Sequence, residues 1–160
     1  MKTPILDRDL TKEAPHSPRD RFGGFVILGR TVDKCRASIA GTLGEYHYDC
    51  PLDNQLFGFK GINGDQFKAV VKSAKYYEDV AAWLEGAGIR KTPEEIKAWS
   101  DKAETVRLKS IPTLQEPEKR KELAESCRKL GLDYEKAGLF EWLDADDKAS
   151  YQSQPQMAAT

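Results

Sequence analysis

The stretch that decides the fold is GFVILGRTVDKCRASIAGTLG, residues 24–44. Its apolar residues recur every three or four positions, which is the spacing of one buried face of an α-helix. Glycine near the end of such a pattern favours a helix terminus. We therefore predict a helix over residues 25–43. Its apolar stripe consists of Phe25, Leu28, Val32, Cys35, Ile39 and Leu43.

Similar patterns predict further, shorter helices along the rest of the chain. Thr92, Pro93 and Glu95 form a helix start, with a capping residue, a proline at the first helical position and an acid that completes a capping box. Pro51 and Pro117 mark two other helix starts. No segment shows the sustained alternation of a strand. We predict an all-α fold, a single-domain bundle of roughly six to eight mostly short, crossed helices.

The chain has three predicted parts. Residues 1–16 contain prolines and charges without periodicity, and we expect an extended N-terminal arm there. Residues 17–149 carry the helical patterns and form one predicted domain. The polar segment 150–160 is predicted to be disordered. The arm lacks the basic end and apolar run of a secretory signal, and no run is long enough for a membrane span, so we expect a soluble, cytoplasmic protein.

The composition and motifs of the chain argue against several classes of binding site. The sequence is 39% apolar and 32% charged, with a formal net charge of −1, which argues against a dedicated nucleic-acid binder. Its three cysteines form no CxxC pair, so a zinc site has no support. The acidic run at 144–147 lacks the glycine and the final acid of a calcium loop. We expect neither a metal nor a cofactor.

One candidate site is GEYHYDCPLD, residues 44–53, whose first part we name the GEYHYDC loop, residues 44–50. His47 lies between acids, which can orient a histidine for general acid or base catalysis. Tyr46 or Tyr48 would orient the substrate or donate a proton. The alternative is a structural histidine that donates to a nearby carbonyl. The residue pattern leaves both interpretations open.

Cys50 is a candidate reactive thiol because it stands where the next helix begins, and a helix N-terminus activates nucleophilic cysteines. Asp49 and Asp53 oppose this effect, so the pattern favours a capping role over a covalent nucleophile. Cys35 and Cys127 lie on apolar stripes and are predicted to be core residues.

The polar face of the first helix supplies the candidate substrate-binding residues. Asp33 has Arg30 and Arg36 as neighbours at helical spacing. Because the helix runs directly into the GEYHYDC loop, we predict that Arg30, Asp33 and His47 surround one concavity, with Glu45 at its edge. Arg30 and Arg36 would hold the negative charge of a substrate. The alternative is a solvated, salt-bridged face, which is the commoner fate of a charge cluster.

Several segments together resemble a family of small, largely bacterial proteins known only as a domain of unknown function. In order, they are DLT, SPR, GGFVILGR, DKCRA, GEYHYDCPLD and GIN. The similarity is close over residues 9–85 and looser beyond. Members of the family read LGGY and ILPR where this chain has FGGF, residues 22–25, and ILGR, residues 27–30. The resemblance implies a soluble bacterial domain and supplies no reaction, substrate or cofactor.

Two functions fit these residues. The first is a small cofactor-independent lyase, isomerase or hydrolase that acts on an anionic metabolite by proton transfer. The second is a non-catalytic module that binds a small ligand or a protein partner through the same groove. Whether the protein is an enzyme, and its oligomeric state, stay open at this point. A site requires a pocket at His47 and Arg30, whereas a scaffold buries both with hydrogen-bond partners.

Overall fold

The computed structural model describes residues 1–152. Within that range the regular structure is helical, the only β-pairing consists of isolated bridges, and the predicted all-α fold is confirmed. No helix in residues 1–152 is both long enough and apolar enough to cross a membrane. The α-helices are α1 (Leu28–Ala40), α2 (Pro51–Lys60), α3 (Gly64–Val71), α4 (Tyr77–Gly86), α5 (Pro93–Ala103), α6 (Pro117–Lys129) and α7 (Leu139–Gln152), with short 3₁₀ helices at Leu108–Ser110 and Pro112–Leu114.

The chain divides into two compact units, Met1–Ser100 and Asp101–Thr160, with the boundary inside α5. The predicted helical domain over residues 17–149 spans both units. α7 continues to its end at Gln152, so helix extends into the segment that was predicted to be disordered. The remainder of that segment lies outside the described residues.

α1 begins later than the predicted helix over residues 25–43, because two glycines form a tight turn before it. Gly23 and Gly24 have φ values of 60° and 84°, and the first and last residues of the turn, Phe22–Phe25, exchange two backbone hydrogen bonds of 3.2 and 3.0 Å. Ile27 then has a φ of 73°, which residues with a branched Cβ rarely adopt. Phe25, the first residue of the predicted stripe, therefore belongs to this turn and not to the helix.

α1 also ends earlier than predicted. Gly41 has a left-handed conformation with φ 76° and closes the helix, so Leu43 lies beyond it. Ile39 was expected on the buried stripe but is 42% exposed. Val32 and Cys35 are fully buried. The stripe is therefore correct from Leu28, which is also fully buried, to Cys35, and wrong at the end of the helix.

Unit 1, residues 1–100, is arranged around α1, which contacts α2, α3 and α4. Local capping signals set where several helices begin. Glu95 donates its backbone N–H to Thr92 Oγ1, and its carboxylate accepts the Thr92 N–H, each at 3.0 Å, which confirms the predicted start of α5. Asn63 and Gln66 make the same reciprocal pair at the start of α3.

The arm, residues 1–16, packs onto the rest of unit 1. Ile5 donates its backbone N–H to Lys75 at 2.8 Å, and Tyr77 donates to Thr3 at 3.0 Å. Leu10 is 2% exposed, so the arm also contributes to the core. The arm therefore forms part of the folded unit.

Unit 2 has its own small core of Leu108, Cys127 and Ala137. Trp142 packs against this cluster, and its indole N–H donates to Ser126 Oγ at 2.9 Å. The burial of Cys127 confirms its prediction as a core residue.

Candidate functional site

Asp33 is the centre of a buried polar cluster between α1, the arm and α4. Its side chain is completely buried, and Oδ2 accepts hydrogen bonds from the backbone N–H of His16 at 2.8 Å and from His16 Nδ1 at 2.7 Å. The Tyr77 hydroxyl donates to Oδ1. Arg8 Nε lies 3.8 Å from Oδ2. We name these four residues the Asp33 cluster.

This geometry determines which nitrogen of His16 carries the proton. The Asp33 oxygen that faces Nδ1 also receives the backbone N–H of His16, and the guanidinium of Arg8 lies beside it. Because donors converge on this oxygen, it acts as the acceptor and Nδ1 acts as the donor. In the neutral imidazole Nε2 is then the acceptor, which is the atom that a general base uses.

Aromatic rings hold the imidazole of His16 in place. Its ring contacts those of Tyr77 and Phe22 edge-on, with centroids 4.8 and 5.6 Å away, and those two rings stack at 4.7 Å. Gly29 makes this packing possible, since a Cβ at that position would lie 2.6 Å from a Phe22 ring carbon. The His16 side chain nevertheless remains 17% exposed. It is therefore both oriented and in contact with solvent.

Tyr77 is a donor to Asp33 over a wide pH range. Burial raises the pKa of its phenol, and the negative charge of Asp33 and their hydrogen bond raise it further. The protonated hydroxyl keeps Oδ1 occupied. The carboxylate is thus fixed from both sides, by Tyr77 at one oxygen and by His16 at the other.

A second buried carboxylate, Asp53, organises the start of α2. Its Oδ1 accepts from Thr31 Oγ1 and from Lys34 Nζ, each at 2.9 Å. Its Oδ2 accepts the backbone N–H groups of Asp49 at 2.9 Å and Cys50 at 3.4 Å. Lys34 Nζ also lies 3.2 Å from Cys50 Sγ. The prediction that Cys50 precedes this helix as its capping residue is confirmed.

The polar face of α1 is covered, so the interpretation of a solvated face is wrong. Arg30 and Lys34 are each only 3% exposed, and Asp33 is fully buried. Arg30 Nη1 donates to the His16 carbonyl at 3.4 Å, while its guanidinium carbon lies 5.5 Å from the centre of the Tyr46 ring. The arm and the GEYHYDC loop therefore both contact Arg30.

The structure does not bring His47 into this buried arrangement. His47 and Glu45 are exposed. Tyr48 is half-buried, and its hydroxyl donates to the Gly64 carbonyl at 2.7 Å. Arg36 donates to the carbonyls of Val71 and Ala74 and pairs with Asp7. The catalytic role of His47, Tyr46 and Tyr48 and the substrate-binding role of Arg30, Asp33, Arg36 and Glu45 stay predictions.

His16 was missed by the sequence analysis because it lies in the arm, where no periodicity marks a buried residue. The prolines on either side of His16 were a sequence signal that this part of the arm is ordered. Pro15 and Pro18 are both buried and restrict the backbone around His16. This restriction lowers the entropy that the arm loses when it becomes ordered, which favours a packed segment.

The three cysteines differ in access to solvent. Cys35 and Cys127 are buried, and Cys50 is partly exposed. Burial raises the pKa of the Cys35 thiol to about 11, so this thiol is inert at neutral pH. Among residues 1–152, no three His, Cys, Asp or Glu side chains lie close enough together to hold a metal ion.

Unit 1 also has an open groove of about 450 Å³. Its lining comes from the Gly23–Gly24 turn and from side chains of α4 and α5. These lining residues are Arg21, Gly23, Gly24, Glu85, Pro93, Ile96 and Lys97.

Comparison with protein families gives one match. The model of the family described as a domain of unknown function, DUF5069, matches residues 12–149, and the chain belongs to this family. The resemblance drawn from the sequence segments is thereby confirmed as to family, and the match continues through the C-terminal half. Of the Asp33 cluster, only Arg8 lies outside the matched range. No curated protein matches the chain.

Proposed function

We propose that this member of the DUF5069 family is a small cofactor-independent enzyme that acts on an anionic metabolite by proton transfer, with His16 as the general base. The observation that carries the proposal is the 2.7 Å contact between His16 Nδ1 and the fully buried Asp33 carboxylate. A histidine whose Nδ1–H is held in this way presents Nε2 to a substrate in one tautomer. The partial exposure of the ring gives a substrate access to it.

Asp33 would stabilise the charge that forms during the reaction. When Nε2 takes a proton from a C–H or O–H group, the imidazole becomes positively charged. The carboxylate on its other nitrogen favours that form, and Tyr77 keeps the carboxylate from rotating. The protonated ring can then return the proton at another position or to a leaving group. Lyases, isomerases and hydrolases share this requirement.

Arg8 would attract the negative charge of the substrate. Its guanidinium approaches the same Asp33 oxygen as the His16 ring, and its side chain is 26% exposed. Arginine recognises carboxylates and phosphates through its planar array of donors. A small anion at the His16 edge would therefore lie beside a cation.

The residues predicted from the GEYHYDC loop take a secondary place in this proposal. The guanidinium group of Arg30 lies over the ring of Tyr46 and also donates to the carbonyl of His16. Tyr46 is therefore the loop residue best positioned to reach a substrate bound beside the His16 ring. His47 is exposed and would supply a proton only as an alternative to His16. Arg30 is buried, so it would act on the position of His16 more than on the substrate.

The experiment incubates the protein with a panel of small carboxylates and phosphate esters in D₂O and follows deuterium exchange and product formation by ¹H NMR. The wild type and His47→Asn should convert the same panel member. His16→Asn should lose at least about 100-fold in rate, the lower range for a general acid or base. Equal rates in wild type and His16→Asn, with loss in His47→Asn, would transfer the role to His47.

The groove beside α5 favours a second function, a non-catalytic module that binds a small ligand. Under this alternative the Asp33 cluster only holds the arm in place. A ligand of the groove should raise the melting temperature of His16→Asn as much as that of the wild type. It should lose this effect in Lys97→Glu, because Lys97 lines the groove.

A further inference from the structure

We propose that Cys50 and Lys34 form a site of reversible oxidation by peroxide, in which Cys50 becomes a sulfenic acid whose oxygen is held by the Lys34 ammonium group. The site is independent of His16. It rests on the position of Lys34 Nζ, 3.2 Å from Cys50 Sγ, and on the burial of that lysine.

The buried ammonium group is placed to stabilise an oxygen atom bound to the sulfur. The Lys34 side chain is 4% exposed, and Asp53 Oδ1, at 2.9 Å, provides one strong acceptor. Sulfur, which receives another of its protons, is a weak acceptor. A buried charge favours strong hydrogen bonds over weak ones. An oxygen bound to Sγ would supply a stronger acceptor to Lys34.

Access to solvent separates Cys50 from the other two cysteines. Cys35 and Cys127 are 0% exposed, whereas Cys50 is partly exposed at the end of the GEYHYDC loop. Peroxide can therefore reach the Cys50 sulfur without unfolding of the chain, and the other thiols provide internal controls.

The oxidation is a two-electron step. The Cys50 thiol first releases its proton to solvent, and the thiolate then attacks one oxygen of hydrogen peroxide, so that an S–O bond forms and the O–O bond breaks. The leaving hydroxide takes a proton from the Lys34 ammonium group and departs as water, and Lys34 recovers a proton from solvent. Sulfur is oxidised and peroxide is reduced. Overall, the Cys50 thiol and hydrogen peroxide give sulfenic acid and water.

Reduction requires two molecules of an external thiol. The first attacks the sulfenic sulfur, which forms a mixed disulfide with Cys50 and releases water. The second attacks that disulfide, which restores the Cys50 thiol and leaves the external disulfide. The cycle therefore needs no other protein cysteine, in agreement with the burial of Cys35 and Cys127.

The test treats the full chain with hydrogen peroxide, traps sulfenic acid with dimedone and locates the adduct by peptide mass spectrometry. Cys50 should carry the adduct, and prior treatment with dithiothreitol should remove the reactive species. Lys34→Met should slow adduct formation about tenfold, the effect of one lost charge near the reacting atoms. The control is Lys60→Met, which removes another fully buried lysine and should leave the rate unchanged.

A second measurement tests the proposal even if Lys34→Met does not fold. Oxidation of Cys50 in the native wild type should be faster than oxidation of the same thiol in the chain unfolded by urea, because only the native chain places Lys34 beside it. A native rate equal to or below the unfolded rate would overturn the proposal. A folded Lys34→Met that reacts as fast as the wild type, or adducts on Cys35 before Cys50, would also overturn it.

Discussion

The arm and the GEYHYDC loop both contact the polar face of α1, and each contains one histidine. His16 in the arm is held by Asp33 at 2.7 Å, whereas His47 in the loop is exposed. The acids beside His47 in the sequence, Glu45 and Asp49, are exposed as well. The two histidines differ because a carboxylate orients a histidine only when the carboxylate is buried and is fixed by other donors. Neighbouring positions in the sequence are not enough.

The largest expected effect on stability comes from removal of the Asp33 carboxylate, which holds His16. Asp33→Ala should lower the free energy of unfolding by about 3–5 kcal/mol, since it leaves buried donors of His16 and Tyr77 without their acceptor. Urea denaturation monitored by circular dichroism measures the loss. Asp20→Ala, which removes an exposed acid, should cost less than about 0.5 kcal/mol. Equal effects of the two variants would show that the Asp33 cluster does not hold the arm.

Arg30 tests whether the arm and the loop depend on the same side chain. Arg30→Met should lower the free energy of unfolding by about 2 kcal/mol, the range for a lost hydrogen bond from a charged group. The reason is that Arg30 contacts both the His16 carbonyl and the Tyr46 ring. Limited proteolysis should then cut both segments faster. Unchanged stability combined with lost binding of an anion would assign Arg30 to a substrate site instead.

Tyr77→Phe should change how stability depends on pH. The pKa of Tyr77 is raised in the folded state, so the folded protein keeps a proton that the unfolded chain loses above about pH 10. The stabilisation is therefore fully present below that pH and decreases as pH rises, by about 1.4 kcal/mol per pH unit. The variant should be less stable at neutral pH by about 1–2 kcal/mol, with a shallower alkaline decrease. Urea unfolding at several alkaline pH values measures both, and parallel curves for variant and wild type would contradict the assignment.

The smallest expected effects on the free energy of unfolding come from substitution of the two histidines. His16→Asn should lower the free energy of unfolding by about 1 kcal/mol, because one hydrogen bond to Asp33 is lost. His47→Asn should change it by less than about 0.5 kcal/mol, as expected of an exposed residue. The same urea titration measures both variants. A larger loss for His47→Asn would reverse the comparison between arm and loop.

Local signals in the sequence were enough to place most helix starts. Thr92 and Glu95 make the predicted capping pair, and Pro51 begins α2 as expected. These contacts join residues three or four positions apart, so the residue types alone determine them. The turn before α1 was harder to predict from local signals, because the positive φ of Ile27 is imposed by its buried surroundings.

The buried cluster could not be predicted because its members are distant in sequence. His16 and Tyr77 reach Asp33 across separations of 17 and 44 residues. Helical spacing showed that Asp33 lies opposite the apolar stripe, but not that the arm covers it. The sequence analysis therefore placed Asp33 on the polar face of α1 but did not indicate that His16 and Tyr77 contact it. Burial of a polar face depends on the remote segments that pack on it.

The tautomer of His16 tests the central claim most directly. A long-range ¹H–¹⁵N correlation spectrum of the imidazoles in the 160-residue chain at neutral or slightly alkaline pH distinguishes a protonated Nδ1 from a protonated Nε2. We predict that His16 carries its proton on Nδ1, with an unprotonated Nε2, and that Asp33→Asn alters this pattern. The exposed His47 should show the mixture of tautomers of a free imidazole in both proteins. A His16 ring with an unprotonated Nδ1 in the wild type would contradict the account, because Asp33 would then not present Nε2 as a base.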